Sequence, residues 1–119
     1  VKKYFYAAAI LAAVGLWAGC GGSKKQVVYA VSASKDQVTG YTLSGTSLTE
    51  IASPVSTGTT PLSAAVHPNG NFLYVADSTE SDISIYSIAG NGALTLSGTQ
   101  TGAGAAPSSL AVEPDGNYL

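Results

Sequence analysis

The chain is 119 residues long with a formal net charge of −2, and only 10% of its residues are charged, none of them arginine. With 14 glycines, seven tyrosines and short apolar runs set between turn residues, it reads as an all-β domain and excludes a helical bundle or a disordered tail. Beyond Cys20, lysines 24, 25 and 35 stand against seven acids, so the chain lacks the clustered basic face that nucleic acid requires.

Lys2 and Lys3 precede an uncharged run from Tyr4 to Gly19, which ends at Cys20. A positive start, an apolar centre and small closing residues describe an export signal over residues 1–20, with a helix expected through its apolar part. The run is shorter than the ~20 apolar residues that span a bilayer well, and an uncleaved anchor is the alternative. Leu16-Trp17-Ala18-Gly19-Cys20 resembles the lipobox of bacterial lipoproteins, in which the cysteine is acylated and becomes the new N-terminus. Ala18 and Gly19 fit that pattern, while Trp17 stands where an aliphatic residue is usual.

The lipobox resemblance implies lipidation at Cys20, a membrane as partner through that anchor, and a place in the cell envelope, at the outer membrane or cell surface. A plain secretory signal with an incidental cysteine is the other reading. Cys20 is the chain's single cysteine, which excludes an internal disulfide, and residues 21–26, GGSKKQ, have the composition of a flexible linker. Acyl chains contribute about 0.8 kcal/mol per buried CH₂, so two or more on one residue hold a protein firmly at a membrane.

Residues 27–119 carry an internal repeat. Pro61, Ser63, Val66, Pro68 and Gly70 return as Pro107, Ser109, Val112, Pro114 and Gly116, all at an offset of 46. Tyr29 returns as Tyr74, Tyr41 as Tyr86 and Gly58 as Gly104, at 45 or 46. A period of about 40–50 residues built from short strands and turns marks a β-propeller, one blade per repeat.

In chain order, the first unit offers strands at Val27–Val31, Val38–Leu43 and Leu48–Ala52. Val27–Val31 matches the second strand of the repeat, so the blade starts one strand late and its inner edge is expected to lie unpaired. Exposed edges are hazards, and a strand from later blades of the same chain is the expected remedy. The second unit, residues 62–99, is complete. Leu62–Val66 is an inner strand of small residues, and Pro68-Asn69-Gly70 makes a tight turn with Gly in the left-handed position. Phe72–Ala76 is apolar on both faces, a polar turn follows at Asp77–Asp82, and Ile83–Ile88 is the third strand. Asn91-Gly92 introduces the fourth, Leu94–Thr99, which alternates as a half-wet outer strand should. A third unit begins after Gly104.

Two such units fall short of the roughly four to eight blades that close a ring, so the sequence reads as the N-terminal part of a longer protein. Its segments SPVSTGTTPLSAAVHPNGNFLYVAD (53–77) and ISIYSIAGNGALT (83–95) resemble the lactonase family of seven-bladed β-propellers, over about residues 27–119. The resemblance implies about two four-stranded blades of an expected seven. It also implies a lactone hydrolase in the full-length protein, or, since members of such families share blades without sharing chemistry, a non-catalytic surface propeller that binds carbohydrate, protein or cell-wall polymer.

Lactone hydrolysis requires a base that activates water and donors for the oxyanion, and a phosphorylated substrate adds a cationic clamp. His67, the one imidazole, could be a base at the channel mouth or a solvent-facing turn residue, since its repeat counterpart is Glu113. Asp77, Glu80 and Asp82 could form a calcium loop but miss the D-x-D-x-D-G spacing, which leaves a solvated hairpin. Gly102-Ala103-Gly104 leads into Ala-Ala-Pro and not into a helix, so it reads as a linker between blades and not as a dinucleotide loop. No catalytic, cofactor-binding or metal-binding residue is assigned, and no cofactor is expected.

Overall fold

The computed structural model describes residues 12–15 and 26–117, and within them every regular element is a strand. The order is β1 (Ala12–Gly15), β2 (Gln26–Ser32), β3 (Gln37–Ser44), β4 (Ser47–Glu50), β5 (Val55–Ser56), β6 (Pro61–Val66), β7 (Phe72–Asp77), β8 (Asp82–Ile88) and β9 (Leu94–Thr101). They form two antiparallel sheets, β1-β2-β3-β4 with β5 also on β3, and β6-β7-β8-β9. These are two neighbouring blades of a propeller. Most of the segment read as a signal helix, Cys20 included, lies outside the described residues. Ala12–Gly15 does not, and it is extended.

That strand corrects the expected free edge of the first blade. β1 pairs antiparallel with β2, placing Ala13 opposite Tyr29 and Val14 opposite Val28, so the inner edge is covered. A second correction concerns the outer strand expected at Leu48–Ala52. It ends at Glu50, and β3 finds its remaining partners in Val55 and Ser56. Pro54, in the gap, has no N–H to give to a ladder. The second blade keeps a continuous outer strand and takes a bulge instead, where the register shifts between Ile85 and Tyr86.

The turns follow from their residues. Gly70 (φ 74°) closes the β6–β7 hairpin with its N–H on the His67 carbonyl at 2.8 Å, and Gly116 (φ 73°) repeats the bond to Glu113 at 2.8 Å. Only glycine adopts that backbone freely. In the third unit, Leu110–Val112 forms no strand; by the repeat, its hairpin partner starts at Tyr118, outside the described residues.

The core lies between the blades. From the first come Tyr29, Val31 and Val38, from the second Ala64, Leu73, Val75 and Tyr86, with Val27, Val55, Val66, Ile88 and Leu94 packed around them. Alternate residues of β2 (27, 29, 31) and of β7 (73, 75) share one face of their strands, which is why period-two patterning selects them. Each large aliphatic side chain buried there contributes roughly 1.5–3 kcal/mol.

The connection between blades is pinned at its far end by a repeated device. The Thr57 N–H donates to the Asp36 carbonyl at 2.9 Å and the Thr60 N–H to Asp36 Oδ1 at 2.8 Å. At the next junction Ala103 donates to the Ser81 carbonyl at 3.2 Å and Ala106 to Ser81 Oγ at 3.5 Å. All four anchor residues, Asp36 (φ 52°), Thr60 (59°), Ser81 (60°) and Ala106 (52°), are left-handed without being glycine.

Candidate functional site

Two polar groups at opposite ends of the second blade gather the candidate side chains. The first forms where β7 ends and the incoming connection crosses it. Asp77 and Asp82 are directly opposed across β7 and β8, a like-charge pairing that a sheet disfavours. Asp77 is fully buried. Its Oδ2 accepts the hydroxyl of Ser84 at 2.5 Å, while its Oδ1 and the Oδ1 of Asp82 have no partner.

The connection presses on this carboxylate from above. A Cβ built on Gly58 would lie 2.7 Å from both Cβ and Cγ of Asp77, so the absence of a side chain at 58 is what lets the loop close over it. Thr59 Oγ1 donates to Glu80 Oε1 at 2.9 Å and Thr79 Oγ1 to Thr60 Oγ1 at 3.0 Å. Burial pushes the Asp77 carboxyl above its ordinary value; Ser84 and the Gly58 backbone work against that, and Asp82 and Glu80 reinforce it. Asp82 is raised by burial and then by Glu80.

The solvated hairpin expected over Asp77–Asp82 therefore holds for the exposed Glu80 and fails for Asp77. Register decides this: Asp77 shares a face with Leu73 and Val75 and points into the seam between blades. Among the described residues no three His, Cys, Asp or Glu side chains converge on a metal position. Buried, with the Ser84 hydroxyl on one oxygen, the Asp77 carboxylate links β7 to β8.

His67 sits at the other end, in the β6–β7 turn. Its Nε2 lies 3.1 Å from the Gly116 carbonyl, and its Nδ1 accepts the Asn69 N–H at 3.2 Å. With Nδ1 accepting, the proton resides on Nε2 and is given to Gly116. The ring is half-buried, 6.3 Å from the rings of both Phe72 and Tyr74. His67 thus ties the β6–β7 turn to the matching turn of the third unit, and its nitrogens are engaged by backbone on both sides. The Gly102–Gly104 stretch leaves β9 without regular structure, with the Ala103 N–H on the Ser81 carbonyl.

Sequence reasoning missed Tyr29, Tyr86, Ser84 and Gly58. Tyr29 donates to the Gly92 carbonyl at 2.8 Å and Tyr86 to the Ser56 carbonyl at 2.7 Å. For Gly58 a signal was present, since Gly104 repeats it.

Comparison with known proteins agrees with this architecture. A family model described as "Lactonase, 7-bladed beta-propeller" matches residues 22–108. No curated protein matches the chain. Among solved structures, a candidate 6-phosphogluconolactonase from Bacteroides fragilis superposes with a TM-score of 0.72 at 22% identity, over 77% of this chain and 27% of its own. A functionally unknown protein from Desulfotomaculum acetoxidans gives 0.68 at 22% identity, covering 76% and 29%. The periplasmic gluconolactonase of Pseudomonas aeruginosa gives 0.59 at 17% identity, covering 91% and 30%. At these identities the likeness is one of fold, and the chain spans less than a third of each structure.

Proposed function

Because the chain belongs to the lactonase family of seven-bladed β-propellers, we propose that it is part of an exported, lipid-anchored propeller that opens a lactone ring when all blades are present. The observation that carries this reading is the family match over residues 22–108. The leader with Cys20 supports the exported placement, and so does the fold shared with a protein whose own description is periplasmic gluconolactonase.

Among the described residues the exposed Lys35 is the one lysine or arginine, so a cationic clamp for a phosphorylated lactone would have to come from the other blades. Ring opening needs a base to activate water and donors for the developing oxyanion. His67 is committed to backbone and Asp77 is sealed in the seam. On this reading these two blades are the frame, and the reacting groups come from the other blades.

A second reading is a non-catalytic propeller that binds carbohydrate, protein or cell-wall polymer at a surface, since proteins can share blades without sharing chemistry. Full-length protein tested in a pH-stat against γ- and δ-lactones of aldonic acids separates the two. Acid release proportional to protein concentration is expected; background rates across the panel would remove the hydrolase. For the anchor, labelling with a fatty-acid analogue is expected in the wild type and lost in Cys20→Ala, and unchanged labelling would rule Cys20 out.

A further inference from the structure

The inner edge of the first blade is occupied by a segment that copies the strand belonging there. β6 sets Ala64 opposite Val75, Ala65 opposite Tyr74 and Val66 opposite Leu73. Since Tyr74 is the repeat counterpart of Tyr29, the same slots on the first blade face Ala30, Tyr29 and Val28. β1 fills them with Ala12, Ala13 and Val14 in that order. The segment Ala-Ala-Val of the leader and the Ala-Ala-Val of the second blade therefore share register and residue type, and Leu110-Ala111-Val112 stands at the same place in the third unit with leucine for the first alanine.

The leader's copy stands outside the 46-residue spacing. Residues 16–25 join β1 to β2, whereas β6 reaches β7 through the shorter His67–Asn71, and Cys20 lies inside the longer connection. Cleavage before Cys20 would sever β1 from the blade it covers and leave β2 with a row of unpaired backbone groups, a template for another strand.

We propose that the inner edge of β2 is an acceptor for an apolar strand ending in Ala-Val, filled before processing by Ala12–Val14 and afterwards by an inner strand from a later blade of the same protein. The leader is a placeholder: it keeps the edge from pairing with other chains and also keeps the ring from closing until it has been cut away. The cutting step rests on the reading of Cys20 given above; the occupancy of the edge does not.

Two experiments on the whole chain test this. In a Cys20→Ser background, Ala12→Cys with Ala30→Cys should oxidise to an intrachain disulfide at least tenfold more than Ala12→Cys with Val28→Cys, which is out of register. Equal or absent cross-linking overturns the occupancy. Next, with a specific protease site replacing Gly21–Lys25, a labelled peptide of residues 9–18 should bind the cut chain and not the uncut one. A peptide of residues 108–113 should displace it, and Val14→Pro in the labelled peptide should weaken binding at least tenfold. Equal binding to cut and uncut chains, or none to the cut chain, overturns the acceptor. The N-terminal mass of protein recovered from the producing cell reports processing separately, so an unprocessed Cys20 removes the cutting step and leaves the cross-linking result intact.

Discussion

Tyr29 and Tyr86 form a reciprocal pair across the seam between blades: each is buried in the core, and each gives its hydroxyl to a main-chain carbonyl of the opposite blade, Tyr29 to Gly92 and Tyr86 to Ser56. They are not repeat counterparts. Tyr29 corresponds to Tyr74 and Tyr86 to Tyr41, so one blade contributes its second strand and the other its third. Gly40 makes room for the arrangement, since a Cβ there would sit 3.0 Å from the Tyr29 ring and 3.4 Å from the Gly92 carbonyl.

Tyr29→Phe and Tyr86→Phe should each lower stability by roughly 1–2 kcal/mol, because each leaves a carbonyl at the seam without its donor. Urea denaturation read by circular dichroism measures both. Burial also raises each phenol from 10.0 to about 12. The folded state then holds protons that the unfolded state releases, so stability should fall as pH rises from about 10 through 12. Either Phe variant should flatten that decline, and an unchanged alkaline slope in both would contradict the pairing.

Asp77 should make the chain more stable in mild acid than at neutrality. Its folded carboxyl lies above the unfolded value of about 3.9, with burial as the main cause. Between the two values the folded state binds more protons, so stability falls as pH rises through that window and stays reduced above it. Asp77→Asn removes the titration while keeping an acceptor for Ser84. Its melting temperature should vary less with pH than that of the wild type, and an identical pH profile would show that Asp77 is not the group responsible.

How much of this was legible in the sequence depended on whether the signal was local. The Pro68-Asn69-Gly70 turn and its copy at Gly116 were readable because φ above zero selects glycine, and the strands of the second blade because short apolar runs are bounded there by turn residues. β1 was hidden, since it lies in an uncharged run that reads as an export leader, and apolarity does not separate a leader from an inner strand. The interruption of the outer strand before Pro54 was obscured because Ile51 and Ala52 extend the Leu48-Thr49-Glu50 strand in apolarity though not in pairing. Asp77 looked solvated for a different reason: its neighbours in sequence are polar, and what buries it is Gly58, which approaches from the preceding connection.

Gly58→Ala should destabilise the chain by roughly 1–3 kcal/mol, the usual cost of forcing atoms into a packed site. The new methyl would meet Glu80 and the buried Asp77, and Asp77 is held by Ser84 on one side. Glu80→Ala in the same chain relieves only the exposed neighbour and should recover less than half of the loss. Full recovery would mean that the Asp77 contact is soft, and the account of the loop seated on that carboxylate would fail.

Ser81→Asn should stabilise the second junction by roughly 0.5–1 kcal/mol. Ser81 holds a left-handed backbone at φ 60°, which asparagine adopts more readily than most residues. Its hydroxyl reaches the Ala106 N–H at only 3.5 Å, whereas Asp36, at the matching place in the first junction, reaches Thr60 at 2.8 Å. The longer amide side chain brings an oxygen closer to Ala106 and adds no charge. That last point selects Asn over Asp: a carboxylate at 81 would stand beside Asp82 and Glu80, next to the buried Asp77, and repulsion would cancel the gain. Thermal melting of both variants should place Ser81→Asn above the wild type and Ser81→Asp at or below it. A higher melting temperature for Ser81→Asp would show that the acids at this end repel less than their packing implies.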